Sequence, residues 1–148
     1  MAGIKTGFLP GYDLFFTLRT QYELYKFYNV KSQREFMSEI LSKKAGRGGP
    51  GIGPDDYYNI FRCALLFEHK EITLEEVADL IDRWQLEGTR DQDDLDLLMY
   101  ETFANSGMYP KDAFEALKKL KEGDPAKMEE YLKKVEEMQG ADKGEVKS

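Results

Sequence analysis

The sequence predicts an all-α protein, a single domain of six or seven short helices. Three observations carry that reading. Glycine and proline divide the chain into short segments. Within the segments, apolar residues recur every three or four positions, as on a helix, rather than every second position, as on a strand. Finally, Thr20/Glu23, Ser32/Glu35 and Thr73/Glu76 have the spacing with which a capping hydroxyl and a returning carboxylate satisfy the free N–H groups of a helix start.

The elements follow in order. Over 12–28, Phe15, Leu18, Tyr22 and Tyr25 trace one apolar stripe. The start of this segment stays open between two readings. Either the helix runs from its beginning, or 13–17 form a short extended lead into a helix that opens near Thr20. Ser32 opens a second helix with Phe36, Ile40 and Met37 inward, ending at Lys43-Lys44, where cations suit the negative end of the helix dipole. Five glycines and two prolines crowd 45–54, which is expected to be a flexible loop. Pro54 suits a first helical turn, with Asp55 and Asp56 at its positive end and Tyr57, Ile60, Phe61, Ala64 and Phe67 inward; this helix is expected to end near His69-Lys70. Thr73 caps a fourth helix carrying Leu74, Val77, Leu80, Ile81 and Trp84, with Gly88 as its left-handed stop. Asp91, Asp93 and Asp94 lead into Leu95, Leu98, Met99 and Phe103, closed by Gly107. A helix from Pro110 places Phe114, Leu117 and Leu120 inside. A last one from Asp124-Pro125 carries Met128, Tyr131, Leu132, Val135 and Met138. One domain over 1–139 and a frayed polar tail over 140–148 complete the expected organisation.

Composition narrows the function. With 41% hydrophobic and 33% charged residues, the 148-residue chain is far from the mixtures that stay disordered. Its net charge of −7 argues against nucleic acid as a bulk electrostatic partner. One cysteine excludes an internal disulfide or a multi-cysteine zinc site. The first ten residues lack the apolar stretch of a signal peptide, and no stretch has the length of a membrane span, so a soluble intracellular protein with no membrane partner is expected.

Catalytic signatures are thin. Cys63 and the single histidine, His69, are six apart on one expected helix and point to well-separated faces, which suits a buried thiol and a helix-end histidine better than a nucleophile and its base. The run Asp91-Gln-Asp93-Asp94-Leu-Asp96 resembles a calcium loop only superficially: Asp96 stands where the turn demands glycine and Thr102 where a bidentate Glu belongs. It reads as a helix start with a solvated acidic face. Gly46, Gly48 and Gly51 match G-x-G-x-x-G, but Pro50 interrupts the match and a helix precedes it, so a dinucleotide turn is not expected. Lys43, Lys44 and Arg47 are too few for a nucleic-acid site. No catalytic residue, cofactor or metal is expected.

Aromatic crowding is the more unusual feature. Nine of the nineteen aromatics lie within 8–36. Phe15, Tyr22 and Tyr25 share the stripe, whereas Phe16 and Phe27 share a direction off it, and Tyr28 adds to the crowding. Burying two faces takes either a core helix wrapped by the others or a partner. Phe15, Phe16, Tyr22, Tyr25, Phe27 and Tyr28 are therefore the candidate partner-binding residues.

Charge is unevenly placed: +4 over 1–54, −10 over 55–110 and −1 over 111–148. A basic, aromatic-rich first part and an acidic middle can attract each other within one fold or between copies, and any self-association is expected to weaken as salt rises.

The order of elements resembles the tail assembly chaperones of long-tailed bacteriophages. The likeness rests on Asp13-Leu-Phe-Phe-Thr-Leu-Arg-Thr, Tyr22-Glu-Leu-Tyr-Lys-Phe-Tyr-Asn-Val, Asp56-Tyr-Tyr-Asn-Ile-Phe-Arg-Cys-Ala-Leu-Leu-Phe, Glu71-Ile-Thr-Leu-Glu-Glu-Val-Ala-Asp-Leu-Ile-Asp and Tyr100-Glu-Thr-Phe-Ala-Asn-Ser-Gly, and covers roughly 12–107. The Gly-rich insertion and the charged final helices depart from the pattern. The resemblance implies a small, helical, non-enzymatic protein that binds the long, hydrophobic tape measure protein, keeps it soluble and helps load it for tail-tube polymerisation. It implies action in the cytoplasm of the infected or lysogenic host and absence from the mature virion. It also implies self-association in several members, and often a frameshifted longer form. A different class, an acidic DNA mimic that occupies a nucleic-acid-binding protein, is suggested by the carboxylates of 55–96.

Overall fold

The computed structural model describes residues 4–44 and 51–122, except for the side chains of 120–122. The chain divides into two compact units, Met1–Lys111 and Asp112–Ser148. In the first unit a hairpin, β1 (Thr6–Leu9) and β2 (Tyr12–Leu14), precedes five helices: α1 (Leu18–Tyr28), α2 (Gln33–Lys44), α3 (Pro54–Leu65), α4 (Leu74–Gly88) and α5 (Gln92–Asn105). In the second, α6 (Lys111–Glu122) carries a buried Phe114 and a half-buried Leu117. The protein is predominantly α-helical, as expected. The expectations for 45–50, Leu120, the helix from Asp124 and the tail lie outside the described residues.

The hairpin is the element the periodicity misses. Its strands pair antiparallel, with Thr6 opposite Leu14, Gly7 opposite Asp13 and Leu9 opposite Tyr12, and with an irregularity at Phe8. Strands of four and three residues are too short for alternation to register. Pro10 followed by Gly11 at φ 83° is the readable turn signal. The hairpin is tied into the helices by backbone bonds from Phe15 N–H to Ala64 C=O (3.1 Å) and from Ile4 N–H to Asn105 C=O (2.9 Å), and by Asn105 donating to Thr6 Oγ1 (2.7 Å).

Of the two readings of the first segment, the extended lead is the one found, although α1 opens earlier than Thr20. Thr17 Oγ1 accepts from Thr20 N–H (3.2 Å), and Thr20 Oγ1 accepts from Thr17 N–H (2.8 Å). Thr20 thus takes the place expected for Glu23, because its hydroxyl already reaches the cap. This sets the start of α1, and packing against α3 and α2 sets the face it buries. Thr20, Leu24 and Tyr25 are buried, while Leu18 and Tyr22, expected inward, are exposed. Asn29 closes α1 at φ 55°, a conformation asparagine tolerates.

Later starts match expectation closely. Ser32 Oγ accepts from Glu35 N–H (3.1 Å), while the Glu35 carboxylate accepts from Lys31 N–H (2.7 Å), one residue before the expected donor. Gly53 N–H donates to Asp56 Oδ2 (2.9 Å) at the start of α3, and the Thr73/Glu76 box closes in both directions (3.1 and 2.9 Å). Two helix ends differ. α3 stops at Leu65, so Phe67 lies in the following turn and is exposed instead of inward. At the end of α4 the left-handed residue is Thr89 (φ 52°), not Gly88. A Cβ on Gly88 would sit 2.4 Å from Arg90 Cζ. Arg90 lies over the Trp84 ring at 4.4 Å and donates to Trp84 C=O (2.7 Å), so Gly88 makes room for this arginine while its neighbour makes the turn.

The core centres on α3, which packs against α1, β2, α4 and α5. Ile60, Phe61 and Leu65 of α3 are fully buried, as are Leu24, Phe36, Ile40, Val77, Met99 and Phe103 from the surrounding helices. Tyr100 is also buried, yet its hydroxyl has no hydrogen-bond partner among the described residues. Removing such an orphan hydroxyl spares its desolvation, so Tyr100→Phe should raise stability by about 1 kcal/mol. A lower urea midpoint for this variant would show that the hydroxyl is satisfied.

Candidate interaction groove

The packing of α1 and the early end of α3 together build the candidate site. α1 packs on α3 and α2 through the face of Thr20, Leu24 and Tyr25, which leaves Leu18 outward, 83% exposed. Ending α3 at Leu65 turns Phe67 outward as well, 52% exposed, with Leu66 half-buried beside it. Between them lies a groove of about 530 Å³, bordered by Thr17, Arg19, Glu23 and Lys70. Phe15 meets Phe67 edge-on at 5.1 Å. Tyr22, one turn beyond Leu18, continues the exposed face, with the Lys26 ammonium 5.0 Å from its ring centre.

The six candidate aromatics therefore separate into two groups. Phe15, Tyr22 and Phe27 reach the surface, Phe15 only in part. Phe16 is buried near Phe103 (5.9 Å), and its N–H donates to Ser106 Oγ (2.9 Å). Tyr25, buried, and Tyr28, half-buried like Phe15, pack on Phe36 at 5.6 and 5.3 Å. Phe16 lies before α1, so its expected alignment with Phe27 along one helix does not arise. Phe67 and Lys70 were not among the candidates, since only the turn after Leu65 brings them beside Leu18.

Two charged clusters hold α2 to its neighbours. Asp56 accepts from the Tyr28 hydroxyl and faces Lys43 Nζ at 3.5 Å. Asp96 accepts from the Tyr57 hydroxyl and pairs with Lys44. Asp96 was expected on a solvated acidic face but is only 7% exposed. Its partners come from α2 and α3, which nothing near Asp96 in the sequence announces. Burial, and then the bond to its carboxylate partner, pushes both Tyr28 and Tyr57 well above the usual phenol range.

Neither Cys63 nor His69 is arranged as part of a catalytic pair. Burial pushes the Cys63 thiol up to about 12, which keeps it protonated and unreactive near neutrality. His69 stacks on Tyr12 at 4.6 Å, with Nε2 3.0 Å from Gly11 C=O. A second groove of about 540 Å³ runs past these two rings, but its Glu76 is committed to the α4 cap. Among the described residues, no group of three or more His, Cys, Asp or Glu side chains is placed to hold a metal ion, and no helix is long and apolar enough to cross a membrane.

No family model, curated protein or solved structure matches the chain. The Leu18–Phe67 groove is an apolar surface between α1 and the turn after α3.

Proposed function

We propose that this chain is a non-enzymatic tail assembly chaperone of a long-tailed bacteriophage or prophage. It binds the tape measure protein and keeps it soluble while the tail is built. The observation that carries this reading is the exposed Leu18–Phe67 groove, flanked by Tyr22. An apolar surface on an otherwise charged protein suits reversible capture of a hydrophobic client, and the net charge of −7 keeps the complex dispersed. The sequence resemblance over 12–107 supports the same role. The protein would act in the cytoplasm of the infected or lysogenic host and leave before the virion is complete.

The test is co-expression with the tape measure protein of the same phage or prophage. We expect the tape measure to move into the soluble fraction and to co-purify with the tagged chain. Unchanged solubility and no co-purification would overturn the proposal. The acidic-mimic reading keeps one observation in its favour, the exposed Glu75, Asp79, Asp82 and Glu87 of α4. The same tagged chain discriminates the two: a nucleic-acid-binding host protein, captured at low salt and released as salt rises, would favour the mimic.

A further inference from the structure

The groove has a charge as well as an apolar floor. Arg19 and Lys70 stand on its border, and neither has an ion-pair partner among the described residues. Of the nearby charges, Glu23 pairs with Lys26 at 3.2 Å and Lys5 pairs with Glu68, while the exposed Glu71 follows Lys70 outside the groove lining. In a chain of net charge −7, this is a locally positive site around two exposed apolar anchors. The first turn of α1 also carries no acidic side chain, unlike those of the other five helices, so the partial positive charge of its N-terminus adds to the two cations.

The lining comes from 17–23 and 66–70 and includes no residue of β1 or β2, so the groove offers no strand edge for an added strand. A helix satisfies its own backbone and can therefore seat its side chains here without a strand edge. Its volume lies within the range of sites that enclose a few side chains.

We propose that the Leu18–Phe67 groove binds an amphipathic helix whose apolar anchors are flanked by carboxylates. The anchors, Leu or Met at helical spacing, seat between Leu18 and Phe67. The flanking carboxylates meet Arg19 and Lys70. This deepens the chaperone reading, and rests on it for the identity of the client, by naming the kind of segment the tape measure protein would present. Opposite charge at the rim sets the orientation of the helix and selects against basic segments.

The experiment uses the full chain and two labelled synthetic helical peptides of about 15 residues with identical Leu anchors, one flanked by Glu and one by Lys. Fluorescence anisotropy at low salt should show the Glu peptide binding at least about tenfold more tightly, with the difference shrinking as salt rises. The double substitution Arg19→Glu/Lys70→Glu should reverse the preference. Leu18→Asp should weaken both peptides by about tenfold or more. These side chains are exposed, so the thermal melts of the variants should match the parent protein. Equal affinities, tighter binding of the Lys peptide, or no binding of either would overturn the inference. So would light scattering that shows a dimer abolished by Leu18→Asp, since a second copy would then fill the groove. If neither peptide binds while the tape measure still co-purifies, the groove inference fails and the chaperone reading stands. If the Glu peptide binds and no tape measure is captured, the reverse holds.

Discussion

Raising the pH from neutrality to about 11 should remove several kcal/mol of stability from the first unit of the chain. Burial raises the Tyr25 phenol to about 12 and pushes Tyr28, Tyr57 and Tyr100 up in the same direction, with bonds to Asp56 and Asp96 adding to the effect at Tyr28 and Tyr57. In the unfolded chain a tyrosine releases its proton near 10. Below that pH both states hold the proton, and the stabilisation is fully present. Above it only the unfolded state releases the proton, so stability falls as pH rises toward the folded value, by about 1.4 kcal/mol per pH unit for each group. Four tyrosines acting together reach the scale of an entire domain's stability, about 5–15 kcal/mol. Cys63, held up to about 12 by burial, adds to the loss from about pH 9 upward, where an unfolded thiol releases its proton. Urea midpoints measured from neutral to alkaline pH should stay level to about pH 9 and then drop steeply, with phenolate absorbance from these four side chains appearing only as the chain unfolds. A flat profile to pH 11 would show that these phenols are not buried as described.

Phe36→Ala should cost about 3–5 kcal/mol and lower the melting temperature by roughly 10 °C or more. Phe36 is fully buried on α2 and touches Tyr25 and Tyr28 of α1 and Phe103 of α5, with ring centres 5.3 to 5.6 Å away. Truncation leaves a cavity walled by three aromatic rings that stiff neighbouring helices cannot close. Phe27→Ala, in the same aromatic-rich stretch, is the control. Phe27 is 50% exposed and, among the described aromatic rings, packs on Tyr28 alone, so its loss should cost no more than about 1 kcal/mol. Thermal melts of the two variants distinguish core from surface within one crowded stretch. Similar costs would mean that the aromatic groups are not divided as the fold divides them.

That division separates what could be read locally from what could not. The starts at Ser32, Pro54 and Thr73 and the inward residues of α2 and α4, Leu74 apart, were legible because each depends on neighbours within one or two turns. The hairpin was not, since two strands this short show no period, and a Pro-Gly pair alone marks a turn without naming what it joins. The stripe assigned to α1 was rotated from its true inward face because packing against α2 and α3 selects that face, and two capping pairs left even the helix start open. Thr17 with Thr20 prevailed over Thr20 with Glu23 once the hairpin delivered the chain at Phe16, where its N–H meets Ser106.

The sequence by itself determined the helical class, most helix starts, and an inert setting for the lone cysteine, because helical period, caps and breakers act over a few residues. Only the tertiary structure decided that Asp96 is a buried anchor and that Leu18 and Phe67 face solvent together. Asp96 meets Tyr57 across 39 positions and Lys44 across 52, while Leu18 and Phe67 line one groove because α1 and α3 pack side by side. Such pairings are set by which surfaces the helices bury against each other, and a periodicity reports that a face is apolar without reporting what will cover it.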